Sequence, residues 1–161
     1  MNKQDDAFTI RVAEAGDGEG ILECLALAFA PYQQAYTRDA FLDTVLTPKT
    51  VLERMSQMSI FVATNESGKV VGTIACKVME NGRGHLRGMA VRPEFQGSGL
   101  SGRLLNTAEE ELRRSGRKRI TLNTTEPLKR ATRFYQKYGF QPTGKIGSFF
   151  GMSLFEYSKS I

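Results

Sequence analysis

The run Gln96-Gly97-Ser98-Gly99-Leu100-Ser101-Gly102 places three glycines in six residues, with no acidic side chain after Glu94. Glycine lets a backbone turn tightly and removes the Cβ that would hold a ligand at a distance. The first turn of a helix adds free N–H groups at the positive end of its dipole. A glycine-rich turn opening a helix is therefore a seat for a phosphate or diphosphate. Two elements must position it. Residues 86–91 read as a strand, and Leu100, Leu104, Leu105, Ala108 and Leu112 recur at helical spacing.

Gly97-x-Gly99-x-x-Gly102 also spells the dinucleotide fingerprint, which alone is a weak match. That fingerprint requires the strand to run almost directly into the first glycine and an acidic residue about 20 positions on. Here residues 92–96 intervene, and the next strand ends in Asn123-Thr124-Thr125. No Gly-Lys-Ser/Thr closes the run, so a Walker A loop is excluded. Other site chemistries are thinly supplied. The single histidine, His85, gives neither a zinc-ligand cluster nor a Cys/His pair, so no metal is expected. Cys24 and Cys76 fall on apolar patterns and read as reduced core residues.

The stretch Val91-Arg92-Pro93 followed by Gln96-Gly97-Ser98-Gly99-Leu100-Ser101 resembles the GNAT superfamily of N-acetyltransferases. The signature there is Val-x-Pro, then Gln/Arg-x-x-Gly-x-Gly/Ala opening a helix; Ser101 departs from the last position. Downstream, Ala131-Thr132-Arg133-Phe134-Tyr135-Gln136-Lys137-Tyr138-Gly139-Phe140 is similar to the family's Ala-x-x-x-Tyr-x-x-x-Gly-Phe element. Leu128 stands where many relatives carry asparagine. The resemblance spans nearly the whole chain, the N-terminal third in element order only.

The resemblance implies a mixed α/β (α+β) fold. Its central sheet has about seven mostly antiparallel strands with splayed central strands, flanked by about four helices. It implies acetyl-coenzyme A as co-substrate, bound through backbone groups at Met89, Ala90 and Val91 for the pantetheine. The N–H groups of Gly97, Ser98, Gly99, Leu100, Ser101 and Gly102, with Gln96 alongside, would take the diphosphate. Asn123 and Thr124 would reach the arm from the other side, and Arg133, on a basic edge with Lys129 and Arg130, would meet the ribose phosphate. Tyr135 is implied as general acid, because a phenol with a pKa near ~10 is protonated at pH 7 and can protonate a departing thiolate. The acceptor amine must lose a proton, since an amine of pKa about 10.4 is only about 0.04% neutral at pH 7. Glu80, His85, Glu126, Glu156 or a water chain are the candidate bases, and His85 titrates nearest neutrality.

The expected element order supports this reading. A strand at residues 8–12 precedes a helix with the stripe Ile21, Leu22, Leu25, Ala28 and Phe29, ended or interrupted by Pro31. A second helical region covers residues 39–58 and contains Pro48. Strands follow at 60–63 and 69–78, then the strand before the glycine turn and its helix, with Glu109/Arg113 and Glu110/Arg114 pairs on the outer face. A strand at 119–123 leads to a helix with Pro127 in its first turn, and a hairpin at 141–150 and 152–157 closes the sheet. The acceptor pocket is expected from residues 29–36, the second helical region and residues 148–150.

With 161 residues, 40% apolar and 24% charged, the chain is expected to form one domain, residues 1–161. No apolar core of a signal peptide opens it, and the run 21–30 is broken by Glu23, so a soluble, cytoplasmic protein is expected without a membrane partner. The net charge of +5 is interleaved with acids and suits a polyanionic cofactor better than nucleic acid. The expected function is N-acetyl transfer to a primary amine of a small molecule or protein. A non-catalytic acyl-coenzyme A binding or sensing domain and a nicotinamide-dependent oxidoreductase are the alternatives. A homodimer is compatible with the sequence.

Overall fold

The alternating stretches pair into one seven-stranded sheet in a computed structural model that describes residues 8–161. Its strands are β1 (Thr9–Val12), β2 (Ser59–Thr64), β3 (Val70–Val78), β4 (Gly84–Val91), β5 (Arg119–Thr125), β6 (Gln141–Phe149) and β7 (Met152–Ser160). They lie in the order β1-β2-β3-β4-β5-β7-β6, and every neighbouring pair is antiparallel except β4 and β5. The expected mixed, mostly antiparallel architecture is present.

Among the described residues five α-helices accompany the sheet, where about four were expected: α1 (Gly18–Phe29), α2 (Arg38–Val45), α3 (Pro48–Gln57), α4 (Leu100–Arg114) and α5 (Lys129–Lys137). The region read as one punctured helix over 39–58 is two. Leu46 adopts a left-handed φ of 66°, and Thr47 then caps a new helix in which Pro48 occupies the first turn. There its missing N–H costs no helical bond. Thr47 Oγ1 accepts from the Thr50 N–H at 3.2 Å, and Thr50 Oγ1 accepts from the Thr47 N–H at 2.8 Å. Pro127 is not in the first turn of α5 but in the turn before it, where the Leu128 N–H donates to the Thr125 carbonyl at 3.1 Å.

Two apolar layers sandwich the sheet. The α4 stripe, Leu100, Leu104, Leu105, Ala108 and Leu112, packs with Ile74, Cys76, Ile120 and Leu122 on one face. Ile21, Leu25 and Val51 from α1 and α3 pack with Val62, Ala75 and Ala90 on the other. Alternation along β3 therefore feeds both cores. Cys24 and Cys76 are free and buried, and burial pushes their thiols up to about 12 and about 11.

Of the expected pairs of α4, Glu109/Arg113 forms, while Glu110 and Arg114 take other partners. Glu110 binds Arg113 at 2.6 Å and Glu111 binds Arg114 at 3.5 Å, each at i,i+3. Glu109 is 2% exposed and joins Lys159 of β7, at 2.8 Å, to Arg113, at 3.4 Å. A carboxylate expected on the outer face thus clamps the helix to the sheet.

The register explains the opening between the central strands. β4 and β5 pair only at Gly84 with Ile120 and His85 with Thr121. Across β3, Thr73 faces Ala90 and Ala75 faces Arg87, so Ile74 alone stands opposite Gly88 and Met89. This is a β-bulge, and Gly88 takes the positive φ, 64°, that it requires. Bulges bend their strand, and beyond His85 β4 no longer pairs with β5.

Candidate active site

The glycine turn is braced from below. Arg92, 1% exposed, donates from Nε to the Val70 carbonyl at 2.6 Å and from Nη1 to Glu23 at 2.9 Å. A 3-10 turn over Pro93–Phe95 follows, and Phe95 packs edge-on against Phe8 with centroids 5.4 Å apart. The Ser98 hydroxyl and N–H both point back to the Phe95 carbonyl, at 2.6 and 3.4 Å. Gly97 and Gly99 have φ of 83° and 87°, a region in which a side chain is strained.

Gly99 caps α4 without a side-chain bond, and the first helical bond runs from the Arg103 N–H to the Gly99 carbonyl at 3.3 Å. The N–H groups of Leu100, Ser101 and Gly102 have no partner among the described residues, and no acid occupies the first turn. Unpaired donors, a positive helix end and the open space beside Gly97 fit a diphosphate, while the Tyr138 hydroxyl fills the place of a Cβ at Gly102. Gln96 fixes the rim: its Nε2 donates to the Val91 carbonyl at 3.1 Å, and Arg130 donates to its Oε1 at 3.2 Å.

A cavity of about 830 Å³ joins this turn to the opening between the strands. Gln96, Gly97, Gly99, Ser101 and Gly102 form one end, and Met89, Ala90, Val91, Asn123 and Thr124 line the splayed strands. His85 and Tyr135 face the same space. Three expected contacts do not line it. Ser98 braces the turn, the Leu100 side chain is in the core, and Arg133 is exposed; the α5 arginine that reaches the cavity is Arg130. The far chamber contains Phe29, Tyr32, Tyr36 and Phe149 with Asp43, Thr44 and Arg54 of the second helical region, all from the segments expected to form the acceptor pocket.

Tyr135 is held edge-on between Phe134 and Phe140, at 5.4 and 5.7 Å. Burial pushes its phenol pKa up, so the proton is retained through the neutral range. His85 sits at the last paired position before the strands part, its Nδ1 2.8 Å from Thr121 Oγ1. That hydroxyl lies 3.5 Å from the Gly84 carbonyl. With the hydroxyl donating there, Nδ1–H donates to Thr121 and Nε2 keeps its lone pair. Burial, then Lys77 and Arg87, push the imidazole down to about 4, so it is neutral at pH 7. Glu80, Glu126 and Glu156 do not line the cavity. Glu156 accepts from Thr143 at 3.0 Å, and Glu126 pairs with Lys129 at 3.7 Å.

Sequence reasoning missed the polar lining of the far chamber. Tyr36 and Thr125 share a hydroxyl–hydroxyl bond of 2.6 Å, and Arg87 pairs with Asp43. Arg54 is buried on the inner face of α3 with Val51, beside the partly buried Met55. A cation at that spacing is the one signal that was available.

The acetyltransferase (GNAT) family profile matches residues 21–140, and the chain belongs to that family. A curated relative, IAA acetyltransferase of Azospirillum brasilense, is 35% identical over 92 residues, 55% of this chain. The match spans 59% of that relative's length. Among solved structures, the PaiA N-acetyltransferase of Thermoplasma acidophilum, in complex with coenzyme A, is similar with a TM-score of 0.80 at 19% identity. That alignment covers 96% of this chain and 99% of the other. The ribosomal-protein-S18-alanine N-acetyltransferase of Escherichia coli gives 0.75 at 20% identity over 96% and 94%. A GNAT family acetyltransferase of Elizabethkingia anophelis with acetyl-CoA bound gives 0.70 at 16% over 97% and 99%. No helix among the described residues is long and apolar enough to cross a membrane.

Proposed function

We propose that the protein transfers the acetyl group of acetyl-coenzyme A directly to a primary amine within a ternary complex. The observation that carries this reading is one continuous cavity running from the unpaired amides of α4, past Tyr135, to a chamber under α1–α3. In this reading the amides of residues 97–102, chiefly those of Gly99, Ser101 and Gly102, hold the diphosphate. Met89, Ala90 and Val91 hold the pantetheine on one side, with Asn123 and Thr124 on the other. The thioester supplies an activated acyl carbon: a C–N bond forms as the C–S bond breaks.

The Tyr135 hydroxyl gives its proton to the departing thiolate. The proton lost by the amine passes to water or to His85 Nε2. His85 is a weak acceptor, because its surroundings disfavour the charged imidazolium. In this reading a backbone N–H at the Gly88–Met89 bulge polarises the carbonyl oxygen, the role of an oxyanion hole.

Support comes from the family match and from similar folds solved with coenzyme A or acetyl-CoA. The test is calorimetric titration with coenzyme A, followed by thiol-release assays with acetyl-coenzyme A and a panel of amino acids, polyamines, aminoglycosides and peptides. Binding with acceptor-dependent thiol release is expected. Tight binding without release for any acceptor would make the chain an acyl-coenzyme A sensor, and binding of NAD instead would overturn the reading.

A further inference from the structure

Arg54 is 8% exposed and borders the far chamber, and its guanidinium has no hydrogen-bond or ion-pair partner among the described residues. No fully sealed side-chain nitrogen among those residues lacks a partner, so its free N–H groups are those with access to the cavity. The contrast with the other buried arginine is direct: Arg92 is bonded to Val70 and Glu23. The guanidinium lies over the β4 bulge, where a Cβ on Gly88 would stand 2.7 Å from Nη1. That bulge adjoins Met89, where the acetyl group would lie. The acid beside it, Asp43, is engaged with Arg87, so Arg54, Arg87 and Asp43 leave one positive charge uncompensated. Burial, then the Arg87 charge, push the Arg54 pKa down to about 10, and the carboxylate of Asp43 offsets this only in part.

A buried charge is costly unless it is paired, and the guanidinium fork matches a carboxylate bidentately. We propose that Arg54 binds a carboxylate on the acceptor, so that the amine acetylated belongs to an amino acid rather than to a polyamine. This rests on the acetyltransferase reading above and specifies its acceptor. A polyamine would bring a second cation against the unpaired guanidinium and be repelled. Phe29, Tyr32 and Phe149 line the same chamber and suit an apolar side chain on the acid.

The experiment measures thiol release from acetyl-coenzyme A with the twenty L-amino acids, their amides, their decarboxylated amines and spermidine. Arg54→Met and Arg54→Lys are run in parallel, and coenzyme A affinity is measured for each protein. At least one amino acid is expected to show kcat/KM about 100-fold above its amide. Arg54→Met removes that preference through KM, Arg54→Lys keeps part of it, and coenzyme A affinity stays unchanged. An acid-to-amide ratio unaffected by Arg54→Met overturns the proposal. Turnover confined to amines without an acid, or coenzyme A binding with no amino acid acetylated, overturns it too. Failure of the unsubstituted protein to bind coenzyme A would instead bring down the acetyltransferase reading, and this assignment with it.

Discussion

Tyr135 and His85 border the same cavity, yet burial acts on them in opposite chemical senses. It keeps the phenol protonated and the imidazole unprotonated, leaving an acid and a neutral ring on one cavity. Removing the phenol oxygen should therefore act on the chemical step. Tyr135→Phe is expected to lower kcat by about 100-fold or more, with the coenzyme A dissociation constant unchanged. Equal turnover of the two proteins would exclude the hydroxyl as the proton source. His85 makes a separate prediction for stability. Its folded pKa of about 4 lies below the ordinary 6.5, so the unfolded chain takes up the proton first as pH falls. Stability contributed by the neutral ring is complete above pH 6.5 and is lost as pH falls from there through about 4. The melting temperature should fall across that window and fall less in His85→Gln; parallel curves would show that the ring does not govern it. Neither environment was legible in the sequence, because the neighbours that bury these groups come from distant segments.

At the level of elements, the turn between β4 and α4 was the most legible part of the chain. Its glycines, the absence of acids after Glu94 and the Leu100–Leu112 stripe all act locally, and each has a counterpart in the structure. The β4 bulge was not legible, since a bulge is a mismatch between two strands and exists only in their register. The split of α2 from α3 was half visible: Pro48 marked the place, but proline both breaks helices and starts them. Gly99→Ala tests the turn. Its φ of 87° would place a Cβ in a strained region, at a cost of about 1–2 kcal/mol, and tilt the free amides. Coenzyme A binding should weaken by at least about 10-fold while the fold is retained. Unaltered affinity would mean that the amides are not the seat.

Across the whole molecule, two apolar cores hold a sheet whose middle is left open, so clamps far from the opening must keep its halves in place. Lys159 on β7 and Arg113 on α4 meet at Glu109, tying the helix of the phosphate turn to the half-sheet beyond β5. The i,i+4 spacing exposed only the Arg113 half of that clamp. The burial of Glu109 depends on β7, which is 43 or more residues later in the chain at Met152. Lys159→Met leaves a buried carboxylate with its weaker partner and is expected to destabilise the fold by about 1–3 kcal/mol in denaturant titration. An unchanged midpoint would assign the clamp no energetic role.

The central claim is that backbone amides at the start of α4 grip the diphosphate of an acyl thioester lying beside Tyr135. Titration of the amide-labelled protein with coenzyme A, followed by NMR, tests it most directly. The largest shifts should fall on Gly97, Gly99, Ser101 and Gly102, and pantetheine, which lacks the diphosphate, should leave them in place. Saturable coenzyme A binding that leaves those four amides unmoved would contradict the account.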